Sequence, residues 1–490
     1  MAEGTAGAGP EPGTGTGTGT GTLRRIGRWA LRGFLVLAIL LVVAFFAATE
    51  PIDRSPILGT PVAARTDANI AAEAKALEGR PVERGALKVG WASAVITPPL
   101  GTATLGYGAR LGKGIEKVED DLMAHALAVS AGDGPPVVFL SADICLWLRG
   151  LSAQVVSGVA DVLPRDRLYF GATHTHCGPS GFVNGWLFQL MMGGPNPEAV
   201  RRIVDGSVKA IREAIASREP GQWRDHATSV PELIENRMRQ GEAVDDELVV
   251  FEFQKLASGK KFALVNYCAH ATAIAHDYVC GSGDWPGRMV RDLKAKGFDD
   301  AAFFAAGTGQ AGPALDGRAA YAASTADAYE VGDRMAARVA ALATGAADVK
   351  PEPWVADAAL SLFRCEVALP PYNGKRFGRR LRPDTIAWLF GDPSPRAFVQ
   401  AVRLGETVFI GHSFEFSSVI ERELKARLRA KGGPRLVVTS FNGDHNLYVI
   451  PDKSWDEGVY ESGMTLYGPG LGSYLDHVTE EVYDVMAARK

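Results

Sequence analysis

Ten short apolar runs constrain the fold of this chain more than any other feature: "LKVGWASAVI", "LMAHALAVS", "PVVFLSA", "RLYFGA", "ELVVFEF", "KFALVNYCA", "AAFFAA", "FVQAVRL", "ETVFIGH" and "RLVVTSF". They are rich in β-branched and aromatic residues and are mostly bounded by Gly, Pro or polar residues, so they read as strands. Helical periodicity appears at 198–217, 321–343, 418–430 and 474–488. Strands and helices interleave without strict βαβ alternation. The expectation is therefore a mixed α/β (α+β) fold, a mixed β-sheet core flanked by helices. No sequence repeat is visible.

The first part of the chain has another character. Residues 1–23 contain "GTGTGTGTGT", which offers no side chain to bury, and are expected as a disordered tail. Arg24, Arg25, Arg28 and Arg32 then precede an unbroken apolar run at 33–48, stretched toward spanning length by residues 29–31. Residues 24–49 are expected to form one transmembrane signal anchor, with the tail in the cytoplasm and everything after it outside. A cleaved signal peptide is the alternative, since "FFAAT" supplies small residues at a cleavage point; the long apolar run and the preceding tail favour the anchor. Residues 50–86, rich in Pro, Ala and charge with one short helical stretch near "NIAAEAKALEG", are expected as a linker, and 87–490 as the globular body.

Composition excludes several function classes. A net charge of −4, without a long basic tract after the first segment, lacks the electrostatic footprint of nucleic-acid binding. No GxGxxG or Walker loop points to a nucleotide, and no GxSxG elbow or HExxH helix points to a serine hydrolase or a zincin. Five cysteines without a CxxC pair fit neither a zinc finger nor a redox motif. With 47% hydrophobic residues, the chain can build a large core without a disulfide framework.

Chemistry is expected where apolar strands run into polar residues. "GATHTHCGP" places His174 and His176 two apart, so in extended backbone both rings point to one face. That arrangement suits one imidazole on a metal and the other donating into the same cavity; the plain alternative is a pair of satisfied loop residues. "LVNYCAHATAI" delivers His270 at a second strand end, and "VFIGHSFEFSS" puts Glu415 between a strand and a helix, where a simple helix N-terminal acid is the alternative. Tyr448 in "FNGDHNLYVIP" and Tyr460 in "GVYESG" each read as packing when taken alone. Asp284, followed by Pro286, is expected to cap a helix, Asp143 to orient a ligand histidine, and Cys177 and Cys268 to be small buried residues.

Taken together, "GATHTHCGP", "ENRMR", "NYCAHATAI", "GSGDWPGRMV", "FFAAGTGQAGP", the Glu415 segment, "NLYVIP" and "VYESGMTLYGPG" resemble, in order and spacing, the neutral/alkaline ceramidase family from Leu87 onward. The resemblance implies a ceramidase-type catalytic domain with Zn2+ held by His174, His270, Glu415 and Tyr448. It implies His176, Arg237 and Tyr460 around the substrate carbonyl, and hydrolysis of the amide in ceramide-like N-acyl lipids. Residue chemistry agrees. Two imidazoles and one carboxylate leave a divalent ion one net positive charge, enough to bring the pKa of a bound water toward ~7. His176 and Tyr460 are donors for a developing oxyanion, and Arg237 for a carboxylate product.

The sequence also departs from that family. The family carries a serine, treated as catalytic, where this chain has Gly312; Thr308 is the nearest hydroxyl upstream. "GHSFEF" replaces the usual Pro-Gly before the acid, and one extra residue after Asn442 brings Asp444 or His445 toward the site. The immunoglobulin-like β domain of larger members is expected to be absent. The leading expectation is a membrane-anchored metallo-amidase; the alternatives are a family member that binds lipid without turnover and a metallohydrolase of other amides or esters.

Overall fold

The computed structural model describes residues 7, 9, 19–346, 352–376, 378–391 and 396–489. It divides into two compact units, 1–51 and 52–490. In the first unit a helix, α1 (Gly19–Ala48), begins within the expected tail, most of which lies outside the described residues. Its part Arg25–Ala48 is long and apolar enough to cross a bilayer, by length and composition.

The second unit is built on twelve strands that form one branched sheet: β1 (Glu83–Val95), β2 (Met123–Ala131), β3 (Val137–Ala142), β4 (Leu168–Ala172), β5 (Glu219–Ser229), β6 (Glu247–Lys255), β7 (Lys261–Tyr267), β8 (Asp300–Ala305), β9 (Asp357–Ala368), β10 (Arg396–Leu404), β11 (Thr407–His412) and β12 (Arg435–Thr439). All ten expected strands are present. Around them lie α2 (Pro61–Glu78), α3 (Arg149–Gly158), α4 (Trp186–Met192), α5 (Pro197–Ala216), α6 (Asp284–Ala295), α7 (Ala326–Thr344), α8 (Pro383–Phe390), α9 (Ser418–Ala430), α10 (Tyr460–Met464) and α11 (Leu471–Ala487).

The pairing reveals a repeat that the sequence hides. In β1–β4, β5–β8 and β9–β12 alike, the first three strands pair antiparallel and the fourth pairs parallel to the third. Each parallel pair is joined through one helix, α3, α6 or α9, and each group is followed by a longer one, α5, α7 or α11. The three leading strands meet: β1 pairs with β5 and with β9, and Trp223 of β5 bridges Val355 just ahead of β9. Side chains of all three groups, among them Val89, Phe139, Phe251, Leu264, Leu360 and Phe409, fill one shared interior. Helices cover the outer faces, so β2, β3 and β4 are buried on both sides and read as continuous apolar runs.

Two features differ from expectation. Part of the stretch expected as a linker is built into the fold: α2 buries Ala63, Thr66, Ile70 and Leu77, and the Thr66 hydroxyl meets that of Tyr474 at 2.6 Å. β5 and β9 escape the pattern search. In β5, Arg224 and His226 are buried on Glu252 of the neighbouring strand, at 2.9 and 2.7 Å, so charge pairing replaces apolar alternation there.

The parallel connections carry the C-terminal ends of the third and fourth strands of each group to one end of the unit, the place where parallel α/β folds present their loops. His174 follows β4, His270 follows β7 and Glu415 follows β11.

Candidate metal centre and active-site cavity

His174 lies two residues beyond β4 with φ 63, in left-handed backbone rather than the extended conformation expected for the 174–176 pair. The turn nevertheless keeps both rings together, their centroids 4.9 Å apart. The His174 ring stacks on Phe441, two residues past β12, which also has positive φ. His174 Nδ1 donates to the Cys145 carbonyl at 2.6 Å, and His270 Nδ1 donates to that of Ala311 at 3.0 Å. These bonds assign the tautomers and turn both Nε2 lone pairs inward. There Nε2 of His174 and of His270 lie 3.0 and 2.9 Å from the same oxygen, Glu415 Oε1. All three side chains are buried.

Two lone pairs facing a buried carboxylate oxygen repel unless positive charge stands among them. Burial opposes charge on His174, but the Cys145 thiol and the Glu415 carboxylate lift its pKa to about 10, whereas burial and Arg237 push His270 down to about 3. The cluster thus accommodates a single proton between two like ligands, which is the role a cation takes over. Two imidazoles and a carboxylate are a familiar zinc donor set, and ligand atoms near 3 Å apart suit a tetrahedral shell with bonds of about 2.0–2.1 Å. The residues present fit a divalent cation. By contrast, the carboxylates of Asp245 and Glu421 beside Cys268 already hold the Lys425 ammonium at 2.7 Å each.

Asp143 does not orient a ligand histidine: its Oδ2 accepts from the Met123 amide at 2.9 Å, and backbone carbonyls hold both imidazoles instead. Asp284 is the first residue of α6 and not its N-cap, which is Gly283; its carboxylate accepts from the amides of Trp285, Ala273 and Ile274 and pins the loop after His270. Cys177 and Cys268 are fully buried.

Beside the cluster, whose three residues do not themselves line it, opens a cavity of about 460 Å³ lined by, among others, His176, Arg237, Gly312, Tyr448 and Tyr460. His176 is 8% exposed and neither ring nitrogen has a partner. Burial and the two neighbouring imidazoles hold its pKa well below the usual value, so the ring is neutral near pH 7, with one nitrogen to donate and one to accept. Arg237 donates from Nε and Nη2 to buried Glu461 Oε1 at 3.1 and 3.0 Å, and from Nη2 to the Tyr448 hydroxyl at 3.3 Å. Tyr448 is backbone-paired to Glu415, while its hydroxyl is engaged by Arg237. Tyr460, half-exposed at the start of α10, faces Tyr448 with ring centroids 6.0 Å apart. His445 reaches the site from the lengthened loop, with Nε2 3.5 Å from Glu415 Oε2, whereas Asp444 turns away to Arg149 at 2.7 Å. Thr308 is buried and does not line the cavity.

Sequence reasoning missed Tyr107, Glu235, His276 and Tyr321, which also line the cavity. Tyr107, His276 and Tyr321 come from loops outside the quoted motifs, whereas Glu235 opens the "ENRMR" motif without being singled out. Their one signal is adjacency: Glu235 lies two residues before Arg237 and pairs across the strands with Gly312.

Comparison with known proteins agrees with this fold. A family model described as neutral/alkaline non-lysosomal ceramidase, N-terminal, matches residues 87–317. That stretch, a little under half of the chain, is similar to the neutral/alkaline non-lysosomal ceramidase family. It is 25% identical over 180 residues to neutral ceramidase A of Dictyostelium discoideum, covering 33% of this chain and 25% of that one. It is 26% identical over 207 residues to neutral ceramidase of Drosophila melanogaster, covering 38% and 29%. The matched part thus spans only about a quarter of these curated relatives. The crystal structure of neutral ceramidase from Pseudomonas aeruginosa superposes with TM-score 0.67 at 20% identity, over 82% of this chain and 74% of that one, and shows the same fold.

Proposed function

We propose that the chain is a zinc-dependent amide hydrolase acting on the N-acyl bond of ceramide-like lipids, held at a membrane by α1 with its N-terminus in the cytoplasm. The observation that carries this reading is the convergence of two tautomer-locked imidazoles on one oxygen of Glu415, next to His176 of the cavity wall. His174, His270 and Glu415 would hold the ion, with Tyr448 as the fourth ligand and His445 as its nearest competitor. When bound, a divalent ion supplies Lewis acidity and makes a nearby water acidic enough to attack at neutral pH.

The chain's own residues do the rest. The carbonyl of the acyl group sits among His176, Arg237 and Tyr460. Burial, then Glu415, raises the Tyr460 pKa, so its phenol stays protonated and donates to the oxygen that gains charge as water adds to the carbonyl carbon. His176, neutral before attack, takes the proton from the adding water at its unprotonated nitrogen and gives it to the departing nitrogen as the C–N bond breaks, which returns the ring to its neutral form. Arg237, whose Nη1 is not committed to Glu461 or Tyr448, holds the carboxylate product.

The test is metal analysis of the purified chain together with mass-spectrometric detection of free fatty acid and amine from an N-acyl sphingoid lipid. Chelation abolishes turnover and zinc restores it; undiminished hydrolysis by a His174→Ala variant rules the scheme out.

A second reading rests on Gly312, where the family's serine hydroxyl is missing. In it the protein binds N-acyl lipid without cleaving it, and a panel of N-acyl lipids and simple amides incubated with zinc-loaded protein gives binding without product.

A further inference from the structure

Beside the cavity stands a feature that the hydrolytic reading does not use. Two short helices, α4 and α8, stack their aromatic residues, Trp186 on Trp388 with centroids 5.2 Å apart and Phe188 on Phe390 at 4.9 Å. A pair of glycines interlocks them. Gly185 before α4 and Gly391 after α8 both have φ of 81°, and a Cβ on Gly185 would lie 2.1 Å from Gly391 N. The arrangement leaves large apolar side chains in solvent: Trp186 45%, Leu190 59% and Trp388 65% exposed.

The exposed patch is continuous with the cavity wall. Gly108 lines the cavity, and a Cβ there would meet Met191 of α4 at 2.3 Å. Gly112 donates its amide to the Met191 carbonyl at 2.9 Å, which brings its neighbour Leu111, 68% exposed and in left-handed backbone, to the same edge. Contiguous exposed apolar surface of this kind marks an interaction site.

Charge identifies the occupant. Exposed Arg382 immediately precedes α8. Exposed Lys113 stands two residues from Leu111. A basic residue at a helix N-terminus opposes the helix dipole, so helix stability does not account for Arg382. Tryptophan and leucine on short helices, next to exposed Arg382 and Lys113, match the chemistry of an anionic lipid surface, with rings at head-group depth and cations on phosphate.

We propose that α4, α8 and the Leu111 loop form a docking surface for an anionic lipid bilayer, set against the wall of the cavity. This surface goes beyond the hydrolytic reading and is testable without any turnover. It gives a lipid a short route from membrane to cavity, because the apolar patch and the cavity share the 106–112 loop.

The experiment reconstitutes the full chain in vesicles of phosphatidylcholine and phosphatidylglycerol and reads an environment-sensitive fluorophore on Leu190→Cys. The five native cysteines are buried, so the label goes to the introduced thiol. A Ser258→Cys label, in the β6–β7 turn at the far end of those strands from His270, is the reference. Lipids spin-labelled on the acyl chain quench the 190 probe at least about threefold more than the 258 probe, and Arg382→Glu or Trp186→Ser with Trp388→Ser reduces the difference. Equal quenching at both positions overturns the proposal. A 190 signal that grows with protein concentration in detergent and ignores the lipid quencher also overturns it, because it marks a second copy of the chain as the occupant.

Discussion

Gly312 and Arg237 stand side by side, such that a Cβ on Gly312 would lie 3.4 Å from the Arg237 Cβ, an ordinary van der Waals contact. Gly312 does not have the positive φ that would demand glycine. The missing hydroxyl is therefore a chemical difference and not a steric necessity. Gly312→Ser is expected to fold normally, with stability unchanged or higher by up to about 0.5–1 kcal/mol, since glycine is unfavourable within a strand. Urea unfolding checks that, and turnover of an N-acyl lipid by the variant separates the two functional readings. A gain over the parent chain supports a site merely weakened by the glycine, and binding with no product in either protein supports the lipid-binding reading.

Tyr460 is the safest donor to remove because it is half-exposed and makes no buried ion pair. Tyr460→Phe should lower kcat by about 10²–10³, the usual cost of losing one oxyanion donor, with KM and metal content little changed. Arg237→Ala is a poorer probe. It strands buried Glu461 and is expected to cost about 3–5 kcal/mol of stability before any effect on chemistry is read.

Gly106 fixes the His176 ring. Its φ is 119°, and a Cβ there would lie 2.4 Å from His176 Cγ. Gly106→Ala is expected to displace the imidazole, cost about 1–3 kcal/mol, and reduce turnover while metal content is retained. Loss of metal in this variant would contradict the separation drawn between His176 and the ligand cluster.

Stability should respond to pH through a buried pair remote from the site, His125 with Asp300 at 3.3 Å. Burial opposes charge on both. The Asp300 charge and hydrogen bond still raise the His125 pKa above its usual value, and His125 with Lys294 brings Asp300 down to about 2. The Asp300 contribution is present above the unfolded value near 3.9 and is lost as pH falls through about 2. The His125 contribution is complete below about 6.5 and fades as pH rises through the elevated folded value. The gap in melting temperature between the parent chain and His125→Gln should be widest near pH 5 and narrower near pH 9, and a gap that widens with pH contradicts the pairing.

Much of the site was legible because its side chains follow apolar strands directly: His174, His270 and Glu415 each come two or three residues after one. The ordered motifs located the cavity residues Arg237, Tyr448 and Tyr460 as well. The rest was hidden for physical reasons. β5 is held by Arg224, His226 and Glu252 and so lacks the alternation of an ordinary strand. α2 shows only a narrow buried stripe, from Ala63 to Leu77, beneath an Ala-rich and charged surface. The threefold repeat lives in strand pairing and crossover order, which tolerate any apolar sequence. Backbone carbonyls, not side chains, hold both imidazoles, so no residue type announces them.

The most direct measurement is the metal stoichiometry of the purified full chain and of its His270→Ala variant, by elemental analysis after equilibration with zinc and extensive dialysis. Close to one zinc per parent chain is expected, with the variant losing more than the ~10–100-fold in affinity that a supporting residue commands. Equal metal content in the two proteins, or none in either, would contradict a centre built on His174, His270 and Glu415.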